Sequence, residues 1–207
     1  MNYSQAFSYV LQDPNWLKKV LIGGLLTLFS FLLIPIVPLM GYYVRVLQNV
    51  AGGVDPVLPE WDDWNGFFTT GIKALIVALA YGLVIGIIVG IIQSVSSALG
   101  SIFNILYYFV IPVVFMRFSR NEEIGDAFKF NQMIELAKAN PSDYVVSVLL
   151  AFAASLLAMV GLIGLLIGAA FTLFYALLVN AGIFGQYLRL YGGDAPSENV
   201  STTSPRA

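Results

Sequence analysis

Residues 74–116 read ALIVALAYGLVIGIIVGIIQSVSSALGSIFNILYYFVIPVVFM, 43 positions between Lys73 and Arg117 without one charged side chain. A bilayer's hydrocarbon core is about 30 Å thick and takes roughly 20 helical residues to cross. One straight helix of this length would run to about 65 Å. The stretch therefore predicts two spans joined by a tight turn, placed at the polar run SVSSALGS, residues 94–101. Working outward, residues 144–188 form a second uncharged stretch of 45 positions, with a turn expected at GLIG, residues 161–164. Helices are expected near 73–93, 100–117, 143–161 and 165–188.

The remaining uncharged stretch, residues 20–44, has 25 positions and two readings. Pro35 and Pro38 interrupt it, and proline removes a helical donor and clashes with the preceding turn. The stretch is either one kinked span or a hairpin of residues 16–34 and 39–51. The hairpin puts all ten basic residues on one side, whereas the single span strands Lys18 and Lys19 opposite the other eight. Basic residues collect on the cytoplasmic side, so the hairpin is preferred. Both readings leave the 117–143 loop and the C-terminus in the cytoplasm of a cell-membrane protein that crosses several times. No cleavable signal is expected, because the first apolar run exceeds a typical signal core and follows a polar segment.

Composition agrees. Of 207 residues, 58% are hydrophobic and 11% charged, against roughly 25% charged in a soluble domain. There is no His and no Cys. That excludes zinc held by imidazole or thiolate, disulfides and nucleophilic catalysis built on Ser-His or Cys-His. With a net charge of −2 and no basic run, no nucleic-acid surface is expected, and no cofactor or metal motif is seen.

An amphipathic segment precedes each apolar stretch. Tyr3, Ala6, Phe7, Val10 and Leu11 share one helical face; Trp61, Trp64, Phe68 and Ile72 share a second; Ile124, Ala127, Phe128, Ile134 and Ala137 share a third. Each is too short and polar to span and fits a helix lying in the cytoplasmic interface. Asp13-Pro14 and Asn140-Pro141 stop the first and third. Gly41-Tyr42-Tyr43-Val44-Arg45-Val46 echoes Gly185-Gln186-Tyr187-Leu188-Arg189-Leu190, which suggests an internal repeat.

Gly82, Gly86 and Gly90 are spaced by four, as are Gly164 and Gly168. Small residues at that spacing let helix backbones approach, either inside the monomer or between copies in a homo-oligomer. Polar groups in the apolar stretches are few: Gln93, Asn104, Tyr107, Tyr108, Ser155, Thr172, Asn180 and Gln186. No ionisable residue lies in 74–116 or 144–188, which argues against a proton-coupled pump. Arg45 is expected at the cytoplasmic headgroup level; if partly submerged, it would need a carboxylate or carbonyl partner or would snorkel.

Residues 52–64 read GGVDPVLPEWDDW. Glu60, Asp62 and Asp63 flanked by Trp61 and Trp64 could cap the next helix, or form, with Arg45 nearby, an interfacial headgroup or cation site. From Gly41 to Ala74 the sequence resembles the prokaryotic membrane family catalogued as domain of unknown function 4013. The resemblance rests on Gly41, Tyr42, Arg45, the Pro59-Glu60-Trp61-Asp62-Asp63-Trp64 core and Gly71 before a long apolar run. The acidic loops would suit an archaeal member. The resemblance implies an integral membrane protein and no activity.

The expected architecture is all-α: a polytopic membrane bundle of about six membrane-inserted helices in three hairpins, with cytoplasmic interfacial helices. Residues 1–191 form one integral membrane domain and 192–207 a disordered polar tail. The expected partner is the lipid bilayer, with a homo-oligomer as a further state. The leading expectation for function is a non-enzymatic membrane scaffold. A transporter or channel for a neutral or lipid-like substrate, passing the Gln93, Asn104 and Asn180 level, is the first alternative. A lipid-headgroup enzyme using Glu60, Asp62 and Asp63 is the second; no catalytic residue or metal ligand is otherwise assigned.

Overall fold

The computed structural model describes residues 3–160 and 165–193. The described residues are helical, with no strand among them. Eight α-helices follow in order: α1 Tyr3–Gln12, α2 Trp16–Leu28, α3 Ile36–Gly52, α4 Trp64–Val95, α5 Ser97–Asn121, α6 Phe130–Ala139, α7 Pro141–Val160 and α8 Leu165–Tyr191. Short 3₁₀ turns lie at Phe29–Leu32 and Ile124–Phe128. Three helices, α4, α5 and the Gly168–Tyr191 part of α8, are long and apolar enough to cross a membrane, and the total rises to five if each of two bent pairs counts as one span.

The breaks fall where the chain lacks a donor or gains a cap. Proline disfavours helical geometry in the residue before it. At Asp13-Pro14 the axis turns by 102° from α1 into α2, and at Asn140-Pro141 by 95° from α6 into α7. The first and third amphipathic segments thus lie across the bundle. α1 buries Ala6, Tyr9 and Val10, and α6 buries Met133 and Leu136. Of the apolar face read on the third segment, Ala127 is buried, whereas Phe128 and Ile134 are exposed.

The second amphipathic segment is not a separate helix. α4 starts at Trp64 and continues unbroken for 32 residues. No proline lies between residues 64 and 95, so nothing ends the helix where the apolar run begins. Its inner face is Phe67, Thr70, Gly71, Ala74, Val77 and Tyr81, while Trp64 and Ile72 are exposed. The face turned into the bundle is thus a different one from the Trp64, Phe68 and Ile72 face read in the sequence.

The turn in the central stretch sits at Ser96, which is extended and accepts a hydrogen bond from the Leu99 amide at 3.4 Å. α5 then runs antiparallel along α4. The turn expected at 161–164, Gly164, and the tail beyond residue 193 lie outside the described residues.

α8 is the hub, packing against α1, α2, α3 and α7, while α3 also packs along α4. A Cβ on Gly23 or Gly24 of α2 would stand 2.0 Å from the Phe174 ring or 2.1 Å from the Phe171 ring, so these glycines seat α8 phenylalanines. A Cβ on Gly41 would lie 2.0 Å from the Phe67 carbonyl oxygen, and one on Gly71 1.9 Å from that of Val37. The α3–α4 contact is therefore backbone against backbone, which only glycine permits. Gly82, Gly86 and Gly90 face open space, with nothing within 4 Å of an added Cβ. Close packing inside the chain uses other glycines, among them Gly23, Gly24, Gly41, Gly71 and Gly185.

Candidate functional site

The acidic aromatic motif folds back onto the start of α2. Lys19 is 1% exposed. Its Nζ donates to Asp13 Oδ2 at 2.7 Å and to the Leu58 carbonyl at 2.7 Å, and pairs with Glu60 Oε1 at 2.9 Å. The Asp13 carboxylate is as hidden as the amine, whereas Glu60 is 42% exposed. Asn15 adds a hydrogen bond to Glu60 Oε1 at 3.4 Å. The hydrogen bond from Lys19 and its positive charge hold the Glu60 carboxyl below the ordinary carboxylate value.

Trp61 completes this clamp from the apolar side. Its indole donates to the Lys19 carbonyl at 3.0 Å. Tyr42 stacks on it at 4.1 Å and donates to the Pro59 carbonyl at 3.0 Å. Phe67 and Phe174 close the cluster at 5.5 and 5.8 Å from Tyr42. One knot thereby ties together α2, α3, α4, α8 and the 53–63 loop. It also returns the chain, at residues 58–61, to the point where α2 began.

The other motif residues serve the loop itself. Asp63 caps α4, its side chain accepting from the Gly66 amide at 2.9 Å. Asp62 is exposed and accepts from the Asp63 amide at 2.9 Å. Trp64 is 40% exposed and leans on Trp61 at 5.5 Å. The three carboxylates of the motif thus point to three different tasks. Among the described residues no group of three or more acidic, His or Cys side chains gathers as a metal site would require.

Arg45 belongs to a second network. It lies 3.4 Å from Glu122 Oε1 and donates to Gln48 Oε1 at 3.4 Å. Gln48 donates in turn to the Ser119 carbonyl at 2.7 Å and to Glu122 at 3.0 Å, and Thr70 donates to Glu122 Oε2 at 2.5 Å. This ties α3 and α4 to the end of α5. The expected carboxylate partner for Arg45 is therefore Glu122 and not the motif. Nearby, Asp126 is buried with Asn121 and Lys129 on it. Burial alone would raise its carboxyl, but those hydrogen bonds prevail and hold it below the ordinary value.

A third feature lies half-way along the helices. A cavity of about 410 Å³ opens between α3, α5, α7 and α8, with walls that include Ile111, Phe115, Leu173 and Leu177. Tyr107, Tyr108, Ser155 and Asn180, four of the polar groups picked out in the apolar stretches, line it together with Tyr43. Gln93 and Asn104 are exposed on the α4–α5 hairpin and line no part of it. Lys19, Asp13 and Tyr43 carry weight that sequence reasoning missed. A lysine paired in sequence with Asp13-Pro14 at the head of an apolar run was the one available signal.

A family model described as "Protein of unknown function (DUF4013)" matches residues 25–171. The match covers more than half of the chain, from mid-α2 to the first turns of α8, and the chain belongs to that family. No curated protein and no solved structure matches.

Proposed function

We propose that this DUF4013 member is a non-enzymatic scaffold of the cell membrane, with six membrane-inserted helices in three hairpins and its charged collar in the cytoplasm. One observation carries the reading. The residues best suited to chemistry, Lys19, Asp13, Glu60 and Asp63, are spent on holding the collar to the bundle. The return of residues 58–61 to Lys19 supports a hairpin for residues 16–52. The bends at Pro14 and Pro141 support α1 and α6 as helices lying in the interface. The 117–143 loop then shares the cytoplasmic side with the basic residues.

A scaffold needs an outward surface. α4 is the least buried of the three long spans, and Leu79, Leu83, Ile87 and Ile91 are exposed on it beside Gly82, Gly86 and Gly90. The chain has no cysteine, so Gly86→Cys gives a single reporter. Oxidation of this variant in native membranes is expected to yield a discrete cross-linked species. A chain that stays monomeric with cysteine at each of positions 79, 83 and 86 would remove the scaffold reading.

A carrier for a neutral or lipid-like substrate is the second reading, favoured by the cavity lined by Tyr107, Tyr108 and Asn180. It requires access to the cavity from both sides. Exchange of a lipid-like tracer between leaflets of vesicles containing the purified chain would support it over the scaffold.

A further inference from the structure

The ten tyrosines whose side chains are described divide into two groups. Seven donate their hydroxyl inside the chain: Tyr9 to Leu178, Tyr42 to Pro59, Tyr81 to Ala127, Tyr144 to Phe109, Tyr175 to Phe7 and Tyr187 to Leu136, all backbone carbonyls, and Tyr191 to the Asp143 carboxylate. Tyr43, Tyr107 and Tyr108 hydrogen-bond to no described residue, and all three line the one cavity between α3, α5, α7 and α8. These hydroxyls open onto the cavity rather than being sealed in the core, Tyr108 being 53% exposed, and at the depth of a bilayer's hydrocarbon no bulk water would replace the bond they lack. Three of them at one cavity, in a chain that satisfies the other seven, mark a place where the partner comes from outside.

Asn180 lines the same space. Its amide nitrogen donates to the Ala176 carbonyl at 2.9 Å and to Ser155 Oγ at 3.3 Å. Its carbonyl oxygen has no described partner and remains an acceptor. The cavity thus offers phenol donors and one amide acceptor within walls of Ile, Leu, Phe and Ala side chains. No charged residue lines it. Its volume falls within the range of small-molecule sites, which are apolar clefts with a few placed polar groups. Its depth is half-way along the spans: Tyr107 and Tyr108 lie near the middle of α5, and Asn180 near the middle of α8.

We propose that this cavity binds a neutral, largely apolar molecule through a hydroxyl or carbonyl oxygen, held by Tyr43, Tyr107, Tyr108 and Asn180 half-way through the bilayer. The phenols donate to the oxygen, and Asn180 accepts from a hydroxyl where one is present. Charged amphiphiles are excluded because nothing in the cavity would balance their charge. The proposal stands on the cavity and not on the scaffold reading, so monomeric behaviour of Gly86→Cys would leave it untouched.

The test uses the purified full chain in phosphatidylcholine nanodiscs. Four photoreactive probes share one C16 chain bearing a diazirine and end in an alcohol, a ketone, a methyl group or a sulfate. Labelled peptides are mapped by mass spectrometry. The alcohol or the ketone should label cavity residues of α5, α7 and α8 at least tenfold more than the methyl-ended chain, and which of the two does so identifies the oxygen. The Tyr43→Phe/Tyr107→Phe/Tyr108→Phe variant keeps the ring volumes and should lose at least tenfold of that labelling. Asn180→Leu should weaken the alcohol more than the ketone. Equal labelling by the methyl-ended chain, or labelling unmoved by the triple variant, would show that the cavity holds bulk acyl chains only. Preference for the sulfate would overturn the exclusion of charge.

Discussion

Lys19 illustrates what one buried charge demands. Taking an ammonium out of water costs several kcal/mol even after relaxation, and a partner repays this only with close geometry and satisfied hydrogen bonds. Asp13, Glu60 and the Leu58 carbonyl supply both within 2.9 Å. Removing the cation alone leaves the hidden Asp13 carboxylate uncompensated. Lys19→Met is therefore expected to lower unfolding stability by about 3–5 kcal/mol, read as a drop in Tm of the detergent-solubilised chain. Glu60 is more exposed and screened, so Glu60→Gln should cost less than about 1 kcal/mol. The pH dependence tests the Glu60 contact. The folded-state Glu60 carboxyl sits below the ordinary value, chiefly through the hydrogen bond from Lys19. Its stabilisation is thus present above the unfolded value of about 4.3 and is lost as pH falls through the lower folded value. The Tm gap between wild type and Glu60→Gln should hold steady above about pH 5 and close in more acid solution; a gap that widens below pH 4 would contradict the pairing.

At the scale of the element, α4 carries the clearest contrasts. Its N-terminus is fixed by the Asp63 side chain on the Gly66 amide, and Asp63→Ala should cost about 1 kcal/mol of stability. Its inner and outer glycines differ in what they touch. Gly71 lies against the Val37 carbonyl, whereas Gly86 meets nothing within 4 Å. Gly71→Val must push α3 from α4 and should lower stability by about 1–3 kcal/mol, with Gly86→Val within about 0.5 kcal/mol of wild type. Thermal melts of the two variants side by side check this, and equal losses would refute the assigned faces. Spacing in the sequence found the glycine ladder at 82, 86 and 90 but missed Gly41 and Gly71, which lie on different helices. A ladder is visible along one helix. A close contact between two helices depends on how each is rotated about its axis.

For the whole molecule, the three hairpins we propose would divide the ends, with the turns at Pro35 and Ser97 on one side and Ser142 with the charged loops on the other. Single cysteines at these positions should be labelled by an impermeant reagent from outside at 35 and 97, and at 142 only after permeabilisation. Labelling of Ser142→Cys in intact cells would invert the orientation, and protection at 35 would restore the single kinked span for residues 20–44. The sequence by itself determined the helical class, the limits of the apolar stretches, the turn beside Ser96 and the breaks at Pro14 and Pro141. These follow from local physics: charges are expelled from hydrocarbon, and proline lacks a donor. Only the tertiary structure decided which neighbours meet. It joined Lys19 to Asp13 and Glu60 across 41 positions of chain from Lys19 to Glu60. It also separated Tyr42, stacked on Trp61, from Tyr43 at the cavity. Those adjacent tyrosines differ by one step of about 100° around α3, and the side each one faces is set by α4, α5 and α8 packing around them.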